Sequence, residues 1–107
     1  VDLWWSATQT LDRNYTISVF LLADNGQLLA QYDAYPFNNA RPTASWQPDE
    51  VVYDPHELVL IEGLESLPPG SYSAAVKVYL WTGDGIHDIL TIDGANSTVI
   101  GTIIIEP

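Results

Sequence analysis

The chain has 107 residues, 47% of them hydrophobic, and sets fourteen acidic side chains against three basic ones (Arg13, Arg41 and Lys77), for a formal net charge of −11. That length and apolar content specify one packed domain and not a disordered chain, while the charge repels phosphate backbones and anionic lipid and so argues against nucleic-acid binding. Cysteine is absent, which removes disulfides, thiolate catalysis, Fe–S clusters and structural zinc.

Methionine is also absent, even at position 1. Residues 1–107 therefore read as a single domain excised from a longer polypeptide, or trimmed. No apolar run approaches the roughly 20 residues of a membrane helix, and no basic-then-apolar leader is present. Any export signal or anchor is expected outside this piece.

Strand-favouring residues dominate, punctuated by turn formers. The first predicted strand is Leu3 to Thr8, where adjacent Trp4 and Trp5 must point to opposite faces. The second runs from Tyr15 to Ala23. Its Tyr15, Ile17, Val19 and Leu21 set is uniformly apolar and should face the core. Asp24-Asn25-Gly26 then predicts a hairpin turn, with Asn and Gly tolerating positive φ, into a third strand from Gln27 to Asp33. Tyr35 to Glu50 is a long loop with three prolines, and Trp46 is its expected pin. Asp33 and Asp54 flank it, placed to accept loop N–H groups, with Arg41 expected to pair with one of them. A fourth strand covers Val51 to Ile61, kinked at Pro55. After the turn region from Glu62 to Gly70, Tyr72, Ala74, Val76, Val78 and Leu80 alternate with more polar neighbours as a half-buried strand. Shorter strands follow at Ile86 to Ile92 and Val99 to Glu106. With no helix to cover a parallel sheet, the pattern is all-β: an antiparallel two-sheet β-sandwich, immunoglobulin-like or jelly-roll-like, of about seven or eight strands.

Three groups of residues bear a family likeness. The first joins Leu11-Asp12-Arg13-Asn14-Tyr15-Thr16 to the Phe20–Asp33 hairpin. The second is Pro42-Thr43 with Trp46-Gln47-Pro48-Asp49-Glu50-Val51-Val52 and Asp54. The third is Leu67-Pro68-Pro69-Gly70-Ser71-Tyr72 with Val78-Tyr79. Together they resemble the soluble C-terminal β-sandwich domain of bacterial membrane glycosyltransferases of the dolichyl-phosphate-mannose-protein mannosyltransferase type, over nearly the whole chain. The resemblance implies a non-catalytic accessory domain outside the cytoplasmic membrane, periplasmic or at the cell surface. It would be tethered through a multi-pass parent whose membrane part carries catalysis, so no catalytic residue transfers. The sequence departs from the family pattern at Lys77 and over Trp81-Thr82-Gly83-Asp84-Gly85.

Candidate sites are few. The histidines are His56 and His87, and no Gly-x-Ser-x-Gly elbow occurs. His56 reads as a surface or loop-packing residue. Asp84, His87, Asp88 and Asp93 surround one hairpin, and Asp84, Asp88 and Asp93 are the candidate ligands for Ca²⁺, against the plainer reading of solvated turn aspartates; no other cofactor is expected. Four tryptophans and six tyrosines are many for this length. Such rings stack on the C–H faces of sugars, and strand parity puts Tyr79 and Trp81, joined by Trp4, forward as an exposed aromatic platform. The competing reading is aromatic packing in a structural protein–protein interaction domain with no small-molecule ligand.

Overall fold

Two antiparallel sheets pack as a β-sandwich in the computed structural model, which describes residues 1–61, 64–91 and 93–105. The smaller sheet pairs β1 (Asp2–Trp5) with β4 (Val52–Pro55). The larger contains β2 (Thr16–Leu22), β3 (Leu28–Ala34), β5 (Val59–Leu60), β6 (Gly70–Thr82), β7 (Gly85–Ile89) and β8 (Thr98–Ile105). Its order is β5-β3-β2-β6-β7, with β8 also on β6. Strand β6 is the spine. Its 13 residues span roughly 43 Å at about 3.3 Å per residue, close to the 45 Å long axis of the molecule. One edge binds β2; the other is shared end to end by β8, on Gly70–Val76, and β7, on Val78–Thr82. Among the described residues, no helix is long and apolar enough to cross a membrane.

Two-residue periodicity builds the core. Ile17, Val19 and Leu21 of β2 are 2%, 0% and 2% exposed. They stand opposite Val78, Val76 and Ala74 of β6 and Ala34, Tyr32 and Ala30 of β3. Leu3 and Trp5 of β1, with Leu58, cover this face. Each fully buried Val, Leu or Ile contributes about 1.5–3 kcal/mol, which fixes the register, since a one-residue slip would turn this set to solvent.

Several predicted boundaries shift. The first strand ends at Trp5, because the chain then leaves the sheet and the Ala7 carbonyl takes the Asp49 N–H at 2.7 Å. The predicted fourth strand is two. After Pro55 the chain crosses from the small sheet to the large one, so β4 and β5 belong to different layers. The proposed ends at Ile92 and Glu106, and Glu62 in the turn region, lie outside the described residues. In the long loop, Thr43–Ser45 makes one 3₁₀ turn. Buried Trp46 donates its indole N–H to the Arg41 carbonyl at 3.0 Å. Buried Thr43 donates to the Arg13 carbonyl at 2.5 Å and accepts the Tyr15 N–H at 3.0 Å.

The β2–β3 turn uses its glycine differently from its asparagine. Gly26 alone takes positive φ, at 86°, whereas Asn25 accepts the Gln27 N–H on its side-chain oxygen at 2.9 Å. A Cβ on Gly26 would meet nothing within 4 Å, so Gly26→Ala carries a conformational cost only. We expect about 1 kcal/mol of destabilisation, read as a lower melting temperature with an unchanged far-ultraviolet spectrum.

Candidate functional site

The outward face of the small sheet gathers three solvent-facing aromatic rings. Trp5 turns into the core, so its neighbour Trp4 must turn out. On β4, Val52 and Asp54 are buried, so Tyr53 between them also turns out. Trp4 and Tyr53 are register partners, with ring centroids 5.4 Å apart at 38°. Phe37 joins from the long loop, 6.0 Å from Tyr53 at 51°. Trp4, Tyr53 and Phe37 are 63%, 41% and 43% exposed, leaving much of this aromatic surface in water.

Phe37 reaches this position through unfavourable backbone. Phe37, Asn38 and Asn39 have φ of 55°, 51° and 71°. Asn tolerates this left-handed region; an aromatic residue does so only at a cost of about 1–2 kcal/mol. The turn is closed by Asn39 N–H to the Tyr35 carbonyl at 2.9 Å and Arg41 N–H to the Pro36 carbonyl at 3.0 Å. The Asn39 side chain also accepts the Tyr35 N–H at 2.9 Å. The Phe37 N–H donates to Asp54 Oδ1 at 2.9 Å.

Asp54 is the hub beneath the platform. It is 0% exposed. Besides Phe37, it accepts the Trp5 indole N–H at 3.0 Å, and its Oδ2 lies 2.8 Å from His56 Nε2. Of the two readings its sequence neighbourhood allows, His56 is the loop-packing residue and not a surface one: it follows β4 and packs inward. It is 2% exposed, with Nδ1 3.3 Å from the Tyr32 carbonyl and its ring edge-on to Tyr32 at 5.6 Å. One carboxylate therefore ties β1, β4 and the long loop together, and His56 carries the tie on to β3. Asp33 takes no loop N–H. It accepts Ser18 Oγ–H at 2.7 Å, Gln31 Nε2–H at 2.8 Å and the Tyr79 hydroxyl at 2.7 Å on the large sheet. Arg41 pairs with neither aspartate but with Glu50, at 2.7 Å. That hydrogen bond raises the Arg41 pKa and lowers that of Glu50.

Polar groups rim the rings. The Tyr53 hydroxyl donates to Asp2 Oδ1 at 2.8 Å, and this bond, with lesser help from burial, raises the Tyr53 pKa above its usual 10. A shallow depression of about 180 Å³, lined by Phe37, Arg41, Val51, Val52 and Tyr53, adjoins the platform. Asn also suits the left-handed backbone at position 37, so Phe37→Asn should raise stability by up to about 1 kcal/mol while removing one ring. The measurement is the melting temperature of the variant; a fall of several degrees would contradict the strain.

The structure does not bring Trp4 together with Tyr79 and Trp81. The latter two lie on the outer face of β6, the side of the large sheet turned away from β1 and β4. Trp81 is 67% exposed. Tyr79 sits 5.6 Å from Lys77 Nζ, which itself lies 3.2 Å from Asp88. Burial, then the bond to Asp33, pushes the Tyr79 pKa up to about 12. A raised acid pKa stabilises the fold below the unfolded value of about 10; that contribution disappears as pH rises from there through about 12. An ultraviolet titration is expected to show a tyrosine step near pH 12 that is missing in Tyr79→Phe.

Asp84, Asp88 and Asp93 occupy separate places. Asp84 accepts the Thr82 hydroxyl and lies 3.3 Å from His87 Nε2; these contacts lower its pKa. Asp88 faces Lys77. Asp93 accepts the Thr91 hydroxyl, which lowers its pKa. Among the described residues, no three metal-binding side chains converge.

Phe37 and Tyr53 had no sequence signal strong enough to join them to Trp4. The only available hint was the alternation Val52-Asp54-His56, which places Tyr53 on the opposite face. Searched against family models, curated proteins and solved structures, the chain gives no match in any of the three.

Proposed function

We propose that this chain is a non-catalytic extracytoplasmic accessory domain of a membrane glycosyltransferase, and that it engages glycan through Trp4, Tyr53 and Phe37. The observation that carries this reading is the exposed three-ring surface itself. Exposed apolar groups in a contiguous patch mark contact sites, and rings with polar rims suit the C–H faces and hydroxyls of pyranoses. A platform must also be stiff to bind well, and the Asp54 hub and the left-handed turn supply that stiffness. The non-catalytic part of the reading is supported by His56, which is buried with both ring nitrogens facing oxygens. The tether to a glycosyltransferase rests on the sequence resemblance.

A second reading, a structural interaction domain, is favoured by a different surface. The outer face of the large sheet exposes Val99, Ile104 and Leu28 at 66%, 65% and 36%, alongside half-buried Phe20 and Leu22. An oligosaccharide array probed with the wild type and with Trp4→Ala separates the two. Glycan engagement predicts signals that vanish in the variant. An array silent for both proteins, with retained binding to the parent's membrane portion, would favour the interaction domain.

A further inference from the structure

Resting on the glycan reading of this platform, we infer that it takes uncharged pyranosides and turns away glycans that carry carboxylate, sulfate or phosphate. The charges around the rings set this selectivity. At one edge Asp2 spends Oδ1 on the Tyr53 hydroxyl. At the other, Glu50 Oε1 holds both Arg41 and the Gln47 N–H. Among the described residues, Asp2 Oδ2 and Glu50 Oε2 carry no protein hydrogen bond and can accept one from a sugar hydroxyl. The same oxygens repel an anionic substituent seated on the rings.

The basic side chain beside the platform is already neutralised. Arg41 lines the depression next to Phe37 and Tyr53, but its guanidinium is 2.7 Å from Glu50. Lys77 belongs to the outer face of the large sheet and faces Asp88. Recognition of a carboxylate or phosphate calls for a free guanidinium fork or ammonium, and neither Arg41 nor Lys77 offers one at the platform. The net charge of −11 adds a repulsion of the same sign at long range. Two nearby carboxylates at a wet surface give on the order of a tenfold discrimination at low salt, which shrinks as the Debye length falls from about 30 Å at 0.01 M to about 3 Å at 1 M.

The test pairs maltotriose, mannotriose and galactotriose each with its C6-carboxylate counterpart, titrated by calorimetry at low and high salt. The expected result is that any neutral trisaccharide that binds does so at least tenfold more tightly than its carboxylate partner at low salt, with the gap narrowing at high salt. In Asp2→Asn and Glu50→Gln, which keep the acceptor oxygens for Tyr53, Arg41 and Gln47, the neutral-to-anionic ratio is expected to fall at least threefold. A carboxylate partner that binds as tightly as its neutral sugar at low salt, or a ratio unmoved in both variants, overturns the selectivity while leaving glycan binding intact. Failure of every neutral sugar on an extended array would instead overturn glycan binding, and the selectivity with it.

Discussion

Replacing Asp54 with alanine is expected to lower the unfolding free energy by about 3–5 kcal/mol, the largest single-residue effect on stability anticipated outside the apolar core. The carboxylate is 0% exposed and serves three partners: the Trp5 indole, the Phe37 N–H and His56 Nε2. Removing it strands those groups where water cannot replace the acceptor, and an unsatisfied buried donor costs far more than the net value of a formed hydrogen bond. Asp33 makes the comparison sharp. It too serves three partners, Ser18, Gln31 and Tyr79, but at an exposed position, so solvent takes over its role. Asp33→Ala is expected to cost about 1 kcal/mol or less. Urea unfolding of both variants measures the difference. Equal losses would mean that burial does not set the value of these networks. Because Asp54 also holds Phe37, its alanine variant should lose the platform geometry even at temperatures where the domain remains folded.

The second large effect concerns binding. Trp4→Ala is expected to weaken oligosaccharide binding by about tenfold to a hundredfold, the range typical of an aromatic hot spot. Its stability should change by no more than about 1 kcal/mol, since the ring is mostly in water. Trp81→Ala removes an equally exposed indole from the opposite side of the sandwich and should leave affinity within about twofold. Isothermal titration of the two variants against one neutral oligosaccharide makes this decision. Loss in Trp81→Ala and retention in Trp4→Ala would move the binding surface to the large sheet.

How much of this was legible in the sequence depends on how local each signal is. The β2 core face was readable because Ile17, Val19 and Leu21 contrast with Ser18 within one strand. The Asp24-Asn25-Gly26 hairpin was readable because turn chemistry is local. Trp46 as a loop pin followed from a large apolar ring among prolines. The platform was not readable. Trp4 and Tyr53 meet only through a register between strands 49 residues apart, and Phe37 through a left-handed turn that nothing in an aromatic side chain announces. The depth of His56 is hidden for a similar reason. Its neighbours Asp54, Pro55 and Glu57 look like surface, but residues two apart on extended backbone share a face, and that face carries Val52 and Asp54 into the interior. Strand parity puts Tyr79 and Trp81 on one half-polar face of β6, and the structure has them there. Trp4 does not join them, because parity within a strand says nothing about which sheet the strand joins, and β1 lies in the small sheet.

The most direct test of the central claim uses the four tryptophan indole N–H resonances. On adding the neutral oligosaccharide that scores highest on an array, the Trp4 resonance is expected to move with saturation. Those of Trp5 and Trp46, bound to Asp54 and to the Arg41 carbonyl, and that of Trp81 should stay in place. A Trp4 resonance unmoved at millimolar sugar, or a saturating shift centred on Trp81, would contradict the account.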